Sequence, residues 1–307
     1  MTDALERGTA LQQLSDNLAD AVEQAGAWTV TVNARRRFPA TGIVWGDGII
    51  VTANHVVEVE DEITVGLADG RTVEATLAGR DPSSDLALLR VQVADLPIPP
   101  RAITEPRVGN LALAIGRPTP SGPVASFGVI STVSPFFRRQ RGDVADSLIR
   151  ADVAMLPGFS GGPLVDAAGN LLGLNSSHFA RGGGGLTITN EAIDKVVAAL
   201  QTHGKIRRGF LGIGAQAVPI PPALAVTAGT SQETGLVIVS VEQGGPAEQG
   251  GVLLGDVILS VNDRPVGSVE ELQEVLSGEL VGQQATLSLI RGGNAHSLAV
   301  TVGERGA

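Results

Sequence analysis

A chain of 307 residues is too long for one ordinary core and divides into two or three units of about 100 residues each. A formal net charge of −10 argues against a nucleic-acid partner, which selects a basic face, and the lack of cysteine removes disulfide and thiolate chemistry while leaving the compartment open. With 40 glycines, 3% aromatic and 43% apolar residues, the composition fits many short strands, tight turns and a core of Val, Leu, Ile and Ala.

The stretch from Met1 to Gly26 has acidic residues and no long apolar run. It is neither a secretory signal nor a membrane span, so the expectation is a cytoplasmic protein, or an exported one whose targeting segment has been removed. Leu11, Leu14, Leu18 and Val22 recur at three- and four-residue steps and predict an amphipathic helix from Ala10 to Ala25. A first set of about six short strand-like runs follows, from "WTVTVNAR" to "DLALLRVQV", with Asp69-Gly70 as a hairpin signal. The proline-bearing stretch Leu96 to Pro106 interrupts the pattern. A second set of similar size then runs from "LALAIG" to "GLTIT". Two such sets predict two β-barrels packed together. "FFRRQR", Phe136 to Arg141, is the one dense basic spot and reads as a solvated loop.

Asn190 to Leu200 reads as a helix capped by Asn190, with Ile193, Val196, Val197 and Leu200 as its apolar stripe. From Gly204 the chain turns rich in Gly and Pro, which places a boundary near residues 204 to 208. The C-terminal unit alternates strands with two short helices. The second, Ser268 to Leu276, opens with the Ser-x-x-Glu cap pattern of Ser268 and Glu271. The expected organisation is an N-terminal helical segment (1–25), a two-barrel domain (26–204) and a small α+β domain (205–307).

Three motifs carry chemistry. "VTANHVV" places His55 after an apolar run. "DPSSDLALLRV" sends Asp85 into a buried-looking strand, where a carboxylate needs a partner. "LPGFSGGPLV" sets Ser160 among glycines. The order His55, Asp85, Ser160, with the break at Leu96 to Pro106 before the serine, is that of chymotrypsin-type proteases, in which His and Asp come from the first barrel and Ser from the second. A serine hydroxyl is a poor nucleophile and needs a base; histidine is the residue type suited to that work, here His55, and Asp85 would fix its tautomer. The backbone N–H groups of Gly158 and Ser160 would face the developing oxyanion, and the glycines permit the backbone that aims them. Asp81 precedes Pro82 and reads as a turn starter rather than a rival to Asp85. His178, in "GLNSSHFA", falls near the expected substrate pocket; His203 and His296 read as linker and surface residues.

These three motifs resemble the HtrA/Deg family of serine proteases, and "RRGFLGI" with "GLVIVSVEQGGPAEQGGVLLGDVILSVND" resembles that family's PDZ domain. The resemblance runs from about Trp28 to the end of the chain. It implies a mainly β fold, a chymotrypsin-like two-barrel protease followed by a small α+β PDZ domain, with no metal or organic cofactor. It also implies a homo-oligomer, usually a trimer or a larger cage, that degrades unfolded or damaged polypeptides without ATP. Two departures stand out. Phe159 replaces the Asn of the family's Gly-Asn-Ser-Gly-Gly stretch, and either packs into a pocket and holds the loop or obstructs it, leaving an idle, chaperone-like peptide binder. The family's signal or membrane anchor is also missing. In chymotrypsin-type folds the residue six before the serine lines the primary specificity pocket. Here that is Ala154 with Met155 beside it; no acid stands there, so cleavage after small or medium aliphatic residues is expected. In the PDZ-like unit, extended or C-terminal peptides would add a strand to a sheet edge. Gly209 to Gly212 resembles the carboxylate-accepting loop, with Phe210, Leu211 and Ile213 on one wall of the pocket and Leu272, Val275 and Leu276 on the other.

Overall fold

The computed structural model describes residues 2–133, 148–178, 185–204, 209–276 and 280–304, in two compact units that part between 204 and 209. The basic spot Phe136 to Arg141 lies outside the described residues.

In the first unit, α1 (Thr2–Trp28) leads into β1 (Thr29–Asn33), β2 (Ala40–Gly46), β3 (Ile49–Ala53), β4 (Ile63–Gly66), β5 (Thr72–Asp81) and β6 (Leu86–Val91). The second set is β7 (Leu111–Gly116), β8 (Val124–Val133), β9 (Leu148–Ala151), β10 (Pro163–Asp166), β11 (Leu171–Ser176) and β12 (Leu186–Thr189), followed by α2 (Asn190–His203). Each set closes into an antiparallel barrel, in the order β1-β2-β3-β6-β5-β4 and then β7-β8-β9-β12-β11-β10. The same order twice over is the expected pair of six-stranded barrels. Closure leaves no free sheet edge in either. The Asp69-Gly70 signal does mark a hairpin, joining β4 to β5 with Gly70 at φ +89°.

The N-terminal helix divides its apolar stripe. Leu18 and Val22 pack on the first core, where Ala21, Ala25 and Trp28 of the same helix are buried, whereas Leu11 and Leu14 face outward at 69% and 39% exposure. The buried guanidinium of Arg117 fixes the helix end. It donates to the carbonyls of Gly26 (2.7 Å) and Thr29 (2.8 Å), and burial lowers its pKa. Helix α2 buries Ile193, Val197 and Leu200 as its sequence predicts. Its cap differs from expectation: Thr189 is the N-cap residue, and Asn190 sits in the first turn, donating its side-chain amide to the carbonyl of Leu171 (2.7 Å). Asp194 of this helix anchors it to the barrels, accepting from the Trp45 indole (3.0 Å) and from Arg101, whose guanidinium stacks over Trp45.

The second unit contains β13 (Gly209–Phe210), β14 (Ile213–Pro219), α3 (Pro222–Ala228), β15 (Thr234–Val241), α4 (Pro246–Gln249), β16 (Val257–Val261), β17 (Arg264–Pro265), α5 (Val269–Val275), β18 (Gln284–Arg291), β19 (Asn294–Thr301) and β20 (Gly303–Glu304). Its sheet runs β14-β15-β16-β18-β19, with β14 at one edge. The cap of α5 forms as read: the Ser268 hydroxyl accepts from the Glu271 N–H (3.1 Å), and the Glu271 carboxylate reaches back to the N–H of Gly267 (2.6 Å).

An ion pair between the buried Asp256 and the partly exposed Arg291 holds this unit. The Asp256 carboxylate accepts from Arg291 Nε (2.8 Å), Arg291 Nη2 (2.7 Å) and the N–H of Leu253 (2.8 Å). Burial alone would raise the Asp256 pKa, but the Arg291 and Leu253 donors outweigh it and hold the carboxyl below its ordinary value. A depressed carboxyl stabilises the fold above its unfolded pKa and loses that contribution as the pH falls through the folded one. Asp256→Ala leaves the Leu253 N–H without an acceptor and the Arg291 guanidinium with only the carbonyl of Gly251. Urea unfolding of the full chain at neutral pH should show a loss of about 1–3 kcal/mol, and the deficit relative to wild type should shrink on acidification.

Candidate active site

His55 lies in a one-turn 3-10 helix, Asn54–Val56, directly after β3, and Asp85 directly precedes β6, which pairs with β3. The ladder therefore brings the two together from one barrel. Asp85 Oδ1 accepts from the His55 backbone N–H (2.8 Å), and Oδ2 stands 2.7 Å from His55 Nδ1. A third donor, the hydroxyl of Ser176 at the end of β11, comes from the other barrel. The carboxylate is 1% exposed, so these donors compensate a charge that water does not reach. Asp85 also holds a left-handed backbone, φ +55°, which a non-glycine residue keeps only where its surroundings enforce it. Asp81 starts a turn, as read: its carboxylate accepts from the N–H of Ser84 (3.0 Å).

Ser160 lies on the loop before β10, between Gly158 (φ +88°) and Gly161 (φ +86°), conformations that glycine adopts without strain. The first barrel grips this loop through Thr41 of β2. Thr41 Oγ1 donates to the carbonyl of Gly158 (2.7 Å) and accepts from the N–H of Arg117 (2.8 Å), while the Thr41 N–H donates to the carbonyl of Ser160 (3.2 Å). The Phe159 N–H is taken by the carbonyl of Leu156 (3.1 Å). Among the described residues, the N–H groups of Gly158 and Ser160 have no acceptor, which leaves two donors on the loop that carries the Ser160 hydroxyl.

Phe159 does not obstruct the site. Its side chain is fully buried in the second barrel with Ala112, Ala114, Ile149 and Leu164, and its ring lies so close over Gly116 that a Cβ there would stand 2.5 Å from it. Of the two alternatives for this residue, the structure selects the one in which it packs and holds the loop.

The hydroxyl of Ser160 has Ser177 as its partner: the two Oγ atoms are 2.8 Å apart, and the Ser177 N–H donates to Ser160 Oγ (3.3 Å). Ser177 Oγ in turn stands 3.3 Å from His55 Nε2, so a hydroxyl lies between the expected nucleophile and its base. A cleft of ≈ 750 Å³ opens here, walled among others by His55, Ser160, Ser177, Met155, Arg36 and Phe38. Met155 thus borders the cleft, lying against Gly185, whereas Ala154 is exposed and its carbonyl accepts from the Ser126 hydroxyl (2.8 Å). Thr41, Ser176 and Ser177 escape sequence reasoning. "GLNSSHFA" draws notice for His178, yet both serines before it touch the three expected residues.

In the second unit, Leu211, Leu272, Val275 and Leu276 are buried in the core, and Phe210 and Ile213 are half-buried. The N–H groups of Leu211 and Gly212 have no acceptor among the described residues, and β14 has an open edge.

Two closed barrels that bring His55, backed by the buried Asp85, and Ser160 to one cleft define a trypsin-like peptidase architecture. Residues 40–174 match the trypsin-like peptidase domain family, and residues 211–302 match the PDZ domain family. A probable periplasmic serine endoprotease DegP-like of Ectopseudomonas mendocina (strain ymp) is 38% identical over 266 residues, 85% of this chain and 55% of that one. The HtrA-type protease AlgW, solved with a tripeptide, is 31% identical at a TM-score of 0.77, over 94% of this chain and 98% of that one. The serine endoprotease from Yersinia pestis is 29% identical at a TM-score of 0.78, again over 94% and 98%. The chain belongs to the HtrA-type serine protease family and carries a PDZ domain after its peptidase domain. It spans about half the length of the curated relatives it matches. Among the described residues, no helix is long and apolar enough to cross a membrane.

The burial of Phe159 has a measurable consequence. Phe159→Ala should destabilise the chain by about 3–5 kcal/mol in chemical denaturation, as expected for a vacated core aromatic. A stable variant with raised activity would show instead that the ring restrains the site.

Proposed function

We propose that this chain is an ATP-independent serine endopeptidase acting on unfolded or damaged polypeptides, with Ser160 as nucleophile, His55 as general base, Asp85 as the orienting carboxylate and the N–H groups of Gly158 and Ser160 as the oxyanion donors. The observation that carries this reading is the buried Asp85–His55 pair of one barrel facing the Ser160 hydroxyl of the other. Ser177 is the weaker nucleophile candidate. Its own N–H points at Ser160 Oγ, whereas Ser160 is flanked by the two donors that have no acceptor.

In this reading, rotation about the Ser160 Cα–Cβ bond exchanges Ser177 for His55 Nε2. Attack on a peptide carbonyl forms the Oγ–C bond while the hydroxyl proton passes to Nε2. The tetrahedral oxyanion takes the N–H groups of Gly158 and Ser160, and the imidazolium is stabilised by Asp85. His55 then protonates the leaving amine, and water, activated by the same nitrogen, releases the acyl group. The absence of an acid at Ala154 and Met155 supports cleavage after small or medium aliphatic residues; a peptide library in which cleavage after Arg dominates would refute that preference.

The PDZ domain, in the same reading, binds an extended or C-terminal peptide along the edge of β14, with its carboxylate on the N–H groups of Leu211 and Gly212 and its side chain against Phe210 and Ile213. Self-association, which the family resemblance implies, is supported by the outward-facing Leu11 and Leu14 of α1.

A serine-reactive fluorophosphonate should label the wild type and Ser177→Ala but not Ser160→Ala. Turnover of an unfolded protein should fall by about 10⁶ in Ser160→Ala, and by no more than about tenfold in Ser177→Ala, which loses one hydrogen bond. Loss of labelling in Ser177→Ala alone would move the nucleophile to that residue, and a wild type that takes no label would favour an idle peptide-binding protein. For the PDZ domain, a peptide with an apolar C-terminus should bind at least about tenfold more weakly once its carboxylate is amidated, since charge-assisted hydrogen bonds contribute about 1.5–3 kcal/mol; equal affinity in a fluorescence titration would exclude the carboxylate site.

A further inference from the structure

One side chain beside the cleft has no part in this chemistry. His178 directly follows Ser177, and its ring stacks on that of His55, with centroids 5.8 Å apart and planes inclined by 24°. His55, Asp85 and His178 each offer one ligand atom, and those atoms lie within 4.8 Å of one another; among the described residues no other group of this kind comes together. We propose that His55 and His178 together bind a zinc ion, and that the bound ion switches the site off by occupying the His55 nitrogen that would take the Ser160 proton.

Zinc binds imidazole nitrogen at about 2.0–2.1 Å with tetrahedral angles, so two nitrogens on one ion stand roughly 3.4 Å apart. One ring nitrogen of each histidine lies within 4.8 Å of the other's, and His178 is exposed, so a change of its side-chain rotamer is the movement the site requires. Asp85 is one of the three neighbouring groups, but its Oδ2 is committed to His55 Nδ1 and to the Ser176 hydroxyl. It therefore acts behind the ligand. A carboxylate bonded to the far nitrogen of a metal-binding histidine fixes the tautomer, directs the lone pair of the near nitrogen outward and raises its basicity. The arrangement that prepares His55 as a base prepares it equally as a ligand. The Ser177 hydroxyl, 3.3 Å from Nε2, and water are the oxygen donors at hand. Two imidazoles favour zinc over calcium or magnesium, which seek all-oxygen shells. With only two protein nitrogens on the ion, binding is reversible. A reversible ion suits a brake on proteolysis rather than a structural centre.

Binding is read by isothermal titration calorimetry of zinc chloride into the full-length Ser160→Ala chain, which cannot digest itself. One ion per chain is expected. The dissociation constant should rise at least tenfold when His178→Asn is added, and likewise with His55→Ala. With Ser160 intact, peptide hydrolysis should fall as zinc is added and return with EDTA. His178→Asn should need at least tenfold more zinc for the same fractional loss, each chain being measured against its own metal-free rate. Zinc affinity that His178→Asn leaves unchanged would place the ion elsewhere, at His203 or His296 for example, and would overturn the proposal, as would a titration without heat of binding. The effect on rate rests on the peptidase reading, but the binding does not: a chain that takes up zinc through His178 yet hydrolyses nothing upholds the metal site and counts against the peptidase role alone.

Discussion

A buried carboxylate organises the first unit. Asp85 is almost wholly removed from water, on a backbone that only its surroundings can enforce, and a charge in that position must be met by donors from the protein. Two of them, the N–H and Nδ1 of His55, come from the same barrel; the third, the Ser176 hydroxyl, comes from the other. The pairing of β3 with β6 supplies the first two by local geometry. The third requires both barrels to be docked in one register. The charge of Asp85 thus links the fold of each barrel to the alignment of the pair, and the orientation of His55 follows from that alignment.

Thr41 and Arg117 do the corresponding work for the loop that carries Ser160. One threonine of the first barrel bonds to the carbonyls of Gly158 and Ser160, and the N–H of Arg117 fixes its hydroxyl. The Arg117 side chain then reaches the end of α1 through Gly26 and Thr29. The N-terminal helix is therefore continuous, through buried hydrogen bonds, with the loop that carries Ser160. On the far side of that loop, Phe159 fills the second core. The loop is held on one face by polar contacts and on the other by an aromatic ring, while the N–H groups of Gly158 and Ser160 stay available.

Ser177, in the cleft, and His178, beside it, give the site its individual character. Both lie just beyond β11, whose last residue completes the shell of Asp85, so one short segment serves three ends: Ser176 supports the Asp85 carboxylate, Ser177 partners the Ser160 hydroxyl, and His178 stacks on His55. The second unit answers to a separate constraint. The Asp256–Arg291 pair ties the turn before β16 to the end of β18, and β14 is left as an edge that another strand can join.

Much of this was legible in the chain itself. Alternating apolar runs separated by turn residues declared two sets of strands, because strand periodicity and turn chemistry are local. The apolar stripe of α2 and the cap of α5 are likewise written within a few residues. The order of His55, Asp85 and Ser160 about a proline-bearing break was equally visible. The burial of Phe159 was not, since it depends on Gly116 of a distant strand leaving room for the ring. Nor could the sequence separate the inward half of α1 from its outward half, because Leu11 and Leu18 belong to one stripe and only the position of the barrel distinguishes them. Thr41, Ser176, Ser177 and His178 are ordinary residue types in ordinary strands and loops. What they touch was decided by the docking of the two barrels, which brings together residues more than a hundred positions apart.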